Sequence, residues 1–197
     1  NLLPLATFAM EAYGDDPCAL FMPKTKFADN AMDEKTTRLI AQMHKAITII
    51  QFKLEGEIIR RRPEFEMDDR MLLHHIDLKR GVVHIEGKDY TLKDTNWPTL
   101  DPKDPYRLSI EEEDLIRKIL HSFESSEKMK KHMRCFFRHG GMYQVCNSNL
   151  LFHASIPMNP DGTFKSVRIL GQDYKGRALL DRGLFQDRGA GRSGICA

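Results

Sequence analysis

The sequence predicts an α+β fold in which a helix-rich part comes first and β-strands come last. Three patterns carry this prediction. Apolar residues recur at three- and four-residue steps through residues 32–62, as they do in a long amphipathic helix. Two further helical patterns follow, over residues 109–123 and 126–138. Two short apolar runs then flank an Asn-Ser-Asn turn within residues 141–157, which is typical of a β-hairpin.

The first two helices are bounded by residues that stop helices. Residues 5–13 have helical spacing and precede Gly14 and Pro17, and the long helix of residues 32–62 ends at Pro63. The apolar stripe of the long helix comprises Leu39, Met43, Ile47, Ile50, Leu54 and Ile58, and charged residues including Lys45 and Lys53 flank it. Further apolar residues widen this face, so we expect two neighbouring elements to bury the helix.

The middle of the chain predicts a short helix and a hairpin. Asp68 and Asp69 are suited to the N-cap of a helix over residues 70–76. His74 and His75 are adjacent on that helix and would point about 100 degrees apart, which disfavours a shared metal ion. Residues 82–92 alternate between apolar and polar about Gly87, and we expect a hairpin with one buried face.

The next segment predicts a rigid loop and two capped helices. Residues 97–106 contain three prolines, so we expect this loop to form a fixed brace across a surface. Ser109 and Glu112 match a capping box at the start of the following helix. Gly140 stops the second helix before the strands begin.

Net charge, apolar run length and cysteine spacing disfavour several classes of protein. The net charge of +2 indicates no general attraction to nucleic acid or to an anionic membrane, and no apolar run approaches the ~20 residues of a membrane span. The four cysteines form no Cys-x-x-Cys pair, so we expect reduced thiols in a cytoplasmic protein. Residues 182–197 are rich in glycine and lack periodicity, which predicts a disordered tail.

Several blocks, taken in order, resemble the class III fructose-1,6-bisphosphatases, a Firmicutes-type group with a calcineurin-like metallophosphatase core. The blocks are residues 4–9, 43–47, 49–56, 98–106, 130–133 and 149–153. The resemblance implies an αββα sandwich in the parent enzyme. It assigns residues 1–140 to a helix-rich part with a hairpin and residues 141–181 to strands of the metallophosphatase sheet.

The resemblance also implies an activity and a metal ligand. Such enzymes hydrolyse fructose 1,6-bisphosphate to fructose 6-phosphate and phosphate in gluconeogenesis, with a divalent metal pair, typically Mn²⁺. In this family an apolar strand ending in histidine supplies one ligand, and His153 ends the run Asn149-Leu150-Leu151-Phe152. A neutral imidazole suits manganese, and a metal pair activates a bridging water while neutralising charge on the phosphoryl oxygens. No catalytic or sugar-binding residue and no oligomeric state is assigned by the sequence.

The other metal motifs of the family have no match in this chain. These are the Gly-Asp-x-x-Asp-Arg-Gly and Gly-(Asn/His)-His-Asp motifs and a later Gly-His pair, and residues 153–157 differ from the usual His-Gly-Cys-Ile-Pro. We therefore expect an internal fragment that is inactive in isolation. Two alternatives are another metallophosphatase, acting on phosphoproteins or nucleotides, and a non-enzymatic helical interaction module.

Overall fold

The computed structural model describes residues 2–24, 32–152, 155–169 and 171–182, and it mixes helices with small antiparallel sheets, as the predicted α+β class requires. The helices are α1 (Leu3–Tyr13), α2 (Glu34–Arg61), α3 (Ile110–Glu124), α4 (Glu127–His139) and α5 (Gly176–Arg182). The strands are β1 (Ile76–Asp77), β2 (Val82–Ile85), β3 (Lys88–Thr91), β4 (Tyr143–Cys146), β5 (Asn149–Phe152), β6 (Val167–Ile169) and β7 (Gln172–Tyr174).

The chain divides into two compact units, Asn1–Ser125 and Ser126–Ala197. The division falls between two serines: α3 ends just before Ser125, and the Ser126 side chain separately caps α4 by accepting a hydrogen bond from the Met129 amide. The sequence groups α4 with the helix-rich residues 1–140, whereas the contacts of the structure group α4 with the second unit. Residues 183–197, which hold nearly all of the predicted disordered tail, lie outside the described residues.

In the first unit, α1 packs on the first half of α2. The predicted helix of residues 5–13 is confirmed as α1, and the long helix is confirmed as α2, which Asp33 caps by accepting a hydrogen bond from the Thr36 amide. The buried apolar side chains of this cluster are Leu5, Phe8, Ala9, Tyr13, Cys18, Ala41, Ala46, Ile49, Ile50 and Leu115. Burial of these side chains is the main stabilising contribution to this part of the unit.

The buried face of α2 follows the predicted apolar face only in part, because Met43, Ile47 and Leu54 of the stripe are partly buried and pack against the core. It comprises Ala41, Gln42, Lys45, Ala46, Ile49, Ile50, Lys53, Gly56 and Ile59. Of the predicted stripe only Ile50 is fully buried, and Ile58 is 47% exposed. Lys45 and Lys53, which hydropathy assigns to the flank of the stripe, are buried on this face, and each pairs with a buried carboxylate.

The second half of α2 packs against the proline-containing loop. Leu100 and Tyr106 from this loop join Ile59, Met71 and Leu73 in a second cluster, which confirms the predicted brace. Trp97 packs against both clusters. The helix α2 is therefore buried by more than one neighbour, as predicted, and α3 also contacts it through Leu115 and Glu112.

The predicted short helix of residues 70–76 is wrong. The segment forms 3₁₀ turns at Asp68–Arg70 and Leu73–His75 and then enters β1. Tertiary contacts override the local signal, because Met71 and Leu73 are buried and the Leu73 amide donates a hydrogen bond to the Tyr106 hydroxyl at 3.1 Å. A continuous helix could not direct both side chains and this amide toward the same cluster.

The predicted hairpin of residues 82–92 is confirmed as β2 and β3, with Val83 opposite Tyr90. β1 adds a third antiparallel strand that the sequence does not predict, with Ile76 opposite Val83. The predicted buried face is wrong, because no residue of β2 or β3 is buried, every residue of β3 is exposed and Tyr90 is 51% exposed.

Both predicted helices after the loop are confirmed. The capping box of α3 is present in full: the Ser109 side chain accepts from the Glu112 amide, and the Glu112 carboxylate accepts from the Ser109 amide. α4 is amphipathic, yet none of its side chains is buried. Met133, Phe136 and Phe137 on α4 are all at least 42% exposed.

The strands of the second unit form two separate two-stranded ladders, β4–β5 and β6–β7. Among the described residues of this unit only Gly176 and Leu180 are buried, so it has almost no apolar core of its own. No described helix in either unit has the length and apolar character that crossing a bilayer requires.

Candidate functional site

The strand that precedes the predicted metal ligand in the sequence forms as expected. β4 and β5 pair antiparallel from Cys146 opposite Asn149 to Tyr143 opposite Phe152. The connecting residues Asn147 and Ser148 have φ values of 49° and 62°, as the tight hairpin turn requires. His153 follows Phe152 in the sequence and lies outside the described residues.

The end of this strand lies beside an open hollow in the second unit. The hollow is lined by His139, Gly140, Gly141, Met142, Tyr143, Gln144, Leu151 and Phe152. Helix α5 orients one wall of it, because the Tyr143 hydroxyl donates a hydrogen bond to Asp181 Oδ1 at 2.9 Å. Asp181 in turn lies 3.4 Å from Arg177 Nε, so the tyrosine belongs to a small polar chain on the helix.

The described residues do not assemble a metal site. Within residues 2–24, 32–152, 155–169 and 171–182, no group of three or more His, Cys, Asp and Glu side chains lies close enough to hold an ion. The adjacent histidines His74 and His75 lie in the 3₁₀ turn Leu73–His75. His74 Nδ1 contacts the Tyr106 hydroxyl at 3.0 Å, and burial, His75 and Arg60 together lower the pKa of His74.

Two lysines of α2, Lys45 and Lys53, form buried ion pairs in the first unit. Lys45 is fully buried, and its Nζ donates to Asp16 Oδ2 and, at 2.7 Å, to Asp94 Oδ2. Burial alone would raise the pKa of Asp16, but hydrogen bonds from Lys45, the Cys18 amide and Asn96, with the charge of Lys45, lower it overall. This cluster ties the turn after α1 to the segment that precedes the proline-containing loop.

The second ion pair joins α2 to α3. Lys53 Nζ lies 2.7 Å from Glu112 Oε2 and 2.6 Å from the Thr99 carbonyl oxygen, and both charged side chains are fully buried. Glu112 Oε2 also accepts the Ser109 amide at 2.7 Å, so the capping box and the ion pair share one oxygen. One lysine thus holds α3 and the proline-containing loop against α2.

A third contact fixes the loop to the second half of α2. A β-carbon placed on Gly56 would lie 2.0 Å from Tyr106 Cδ1, so the ring packs where only glycine leaves room. The Arg60 guanidinium lies 4.5 Å from the centre of the same ring, and its Nη1 pairs with Asp104 Oδ1 at 3.1 Å. Glycine is therefore required at this point of the helix by close approach rather than by φ.

The sequence does not predict that Lys45 and Lys53 are buried and paired with carboxylates. Both flank the predicted apolar stripe of α2 and lie eight residues apart, about two helical turns. That spacing places them on neighbouring parts of one face, which is the only local signal of their burial. Their partners are distant in sequence, so the pairing itself could not be read from the pattern.

The family model and the curated relatives that match this chain indicate the same family. A family model described as "Firmicute fructose-1,6-bisphosphatase" matches residues 1–188. The chain is similar to proteins named fructose-1,6-bisphosphatase class 3 from Bacteroides fragilis and Bacteroides thetaiotaomicron, each 66% identical over 182 residues. The corresponding protein of Clostridioides difficile is 54% identical over 182 residues.

These matches cover most of this chain but only a small part of each relative. Each covers 92% of this chain but only 27% of the relative, so the chain spans about a quarter of the length of the curated relatives it matches. No solved structure matches the chain.

Proposed function

Because this chain belongs to the Firmicute fructose-1,6-bisphosphatase family, we propose that it forms one portion of a class 3 enzyme that hydrolyses fructose 1,6-bisphosphate to fructose 6-phosphate and phosphate. The observation that carries the proposal is the family match over residues 1–188. The proposed enzyme is a cytoplasmic phosphoric monoester hydrolase of gluconeogenesis, and its partner is a small sugar bisphosphate.

The proposed cofactor is a divalent metal pair, Mn²⁺ by preference, with His153 as a ligand. The described residues gather no cluster of three potential ligands, so they do not fit a complete metal site. Within this chain His153, which follows β5 in the sequence, is the one proposed ligand, and polypeptide outside the described residues supplies the others. A neutral imidazole is a suitable ligand for such an ion.

The second unit supports the proposal that β4 and β5 belong to a larger, calcineurin-like sheet. Within the described part of the chain, the two strands pair only with each other, and an isolated hairpin is marginally stable in water. Val145 and Leu151 are 63% and 56% exposed, although apolar strand residues normally face a core. The relatives are long enough to supply neighbouring strands, since this chain spans 27% of their length.

The test is a chimera in which these residues replace the matching 182-residue stretch of the Bacteroides fragilis protein. With Mn²⁺ present, we expect the chimera to release phosphate from fructose 1,6-bisphosphate and the isolated 197-residue chain to release none. A chimera that is folded but inactive on this substrate would refute the proposed function, and activity of the isolated chain would refute its expected inactivity.

The metal proposal is tested in the same chimera. We expect His153→Ala to reduce both phosphate release and the bound manganese measured by elemental analysis. His84→Ala is the matched control, because His84 is an exposed histidine that pairs with Asp89 on the surface of the hairpin. If the His153 variant keeps full metal content and activity, His153 is not a ligand.

A further inference from the structure

One side of α4 is apolar and exposed. This side, the α4 face, is formed by Met129, Met133, Phe136 and Phe137, which follow one another at the spacing of a single helix face. None of the four side chains is buried, and the rings of Phe136 and Phe137 meet edge to face with their centres 5.7 Å apart. An amphipathic helix gains most of its stability by burying such a face against another element. The α4 face therefore has the character of a contact surface.

The α4 face borders the hollow at the β4–β5 hairpin. Gly140 lines this hollow, and a β-carbon placed on Gly140 would lie 3.4 Å from Phe136 Cδ2, so the Phe136 ring is next to it. Leu151 and Phe152 of β5 line the same hollow, and both are about half exposed. The exposed apolar surface of the second unit thus extends from the helix to the strands.

The hairpin indicates what kind of partner fits this surface. α4 carries five Lys and Arg residues and one Glu, a composition that is also typical of helices on anionic membranes. Among the described residues, however, β4 and β5 pair only with each other, so the backbone groups of their outer edges still require hydrogen-bond partners. The interior of a bilayer cannot supply them, whereas another polypeptide can. A protein partner is therefore favoured over a membrane.

The lengths of the relatives indicate which polypeptide this is. The match covers 27% of the Bacteroides fragilis protein, so about three quarters of that protein lies outside the matched stretch. In such a protein the matched stretch is covalently joined to the remainder, and covalent linkage gives an effective concentration in the millimolar range. A second copy of this chain would have to bind from dilute solution. The remainder of the enzyme is therefore the favoured occupant.

On the premise of the proposed function, that this chain is one portion of a class 3 enzyme, we propose that the α4 face and the adjoining hollow dock the remainder of that enzyme. The partner surface is apolar, and it presents a strand edge to the hairpin. Lys131 lies two residues from both Met129 and Met133, which places it on the opposite side of α4, where it stays in solvent.

Thiol labelling of two single variants tests the docking. Met133→Cys puts a thiol on the α4 face, and Lys131→Cys is the matched control on the other side of the same helix. Each variant is made in the isolated chain and in the chimera with the Bacteroides fragilis protein, and its reaction with iodoacetamide is followed by mass spectrometry of the peptide that carries the new thiol. In the chimera, we expect the thiol at position 133 to react at least about tenfold more slowly than in the isolated chain, and the thiol at position 131 to react at the same rate in both.

Equal rates at position 133 in the two proteins would overturn the proposal. Slow labelling of position 133 in the isolated chain would overturn it too, because this chain itself, or a second copy if the rate falls with chain concentration, would then cover the face. So would protection of the isolated chain by phosphatidylglycerol vesicles without protection in the chimera, which would indicate a membrane. A chimera that aggregates also counts against the proposal, since a face that fits this partner should assemble with it. Labelling reports burial and not phosphate release, so protection in an inactive chimera would support the docking while refuting the proposed function.

Discussion

Replacing Lys53 with methionine should strongly destabilise the first unit. Lys53→Met keeps the length of the apolar stem but removes the ammonium group that lies 2.7 Å from Glu112 Oε2, where both side chains are fully buried. Removing one partner of a buried ion pair leaves an uncompensated charge and typically costs about 3–5 kcal/mol. The Thr99 carbonyl also loses its hydrogen bond from Lys53.

Urea unfolding followed by tryptophan fluorescence measures this cost. Trp97 is the only tryptophan in the chain and packs against both apolar clusters of the first unit, so its emission reports on that unit. With an m-value of about 2 kcal/mol per molar urea, the expected loss lowers the midpoint by about 2 M.

Two variants separate loss of the pair from loss of packing. Lys53→Met/Glu112→Gln removes both charges and keeps an acceptor for the Ser109 amide, so it should recover most of the lost stability. Lys118→Met breaks an exposed ion pair within α3, between Lys118 and Asp114, and should leave the midpoint of urea unfolding unchanged. If Lys53→Met lowers the midpoint no more than Lys118→Met, or if the double variant is no more stable than Lys53→Met, the buried ion pair does not stabilise the unit.

Two further predictions concern the same unit and use the same fluorescence measurement. Gly56→Ala gains about 1 kcal/mol of helix propensity but places a methyl group 2.0 Å from Tyr106 Cδ1, and such overpacking costs about 1–3 kcal/mol or more. We expect net destabilisation, and a stabilised variant would contradict the close packing. Because the pKa of Asp16 is lowered in the folded state, its contribution to stability is present above the unfolded value of about 3.9 and is lost as the pH falls through the folded value. Asp16→Asn should therefore show a weaker decline in stability below pH 4 than the parent chain, and equal declines would show that Asp16 does not contribute.

The candidate site was predictable to the extent that it depends on contiguous sequence. Residues 141–157 predict two strands around an Asn-Ser-Asn turn, and these form as β4, β5 and the turn between them. The environment of the Tyr143 hydroxyl was not predictable, because its partner Asp181 is 38 residues away. The ligand role of His153 stays a prediction, since that residue lies outside the described part of the chain.

The sequence by itself determined helices α1 to α4 and the turns of the β2–β3 and β4–β5 hairpins. Asp33, Ser109 and Ser126 cap helices through hydrogen bonds to amides three residues away, so these signals are local and can be read without a fold. Only the tertiary structure decided which face of α2 is buried, that residues 68–75 form 3₁₀ turns, and that β1 joins the sheet. Lys45 and Lys53 find partners 29 to 59 residues away in sequence, and a lysine can be buried only where folding brings such carboxylates to it.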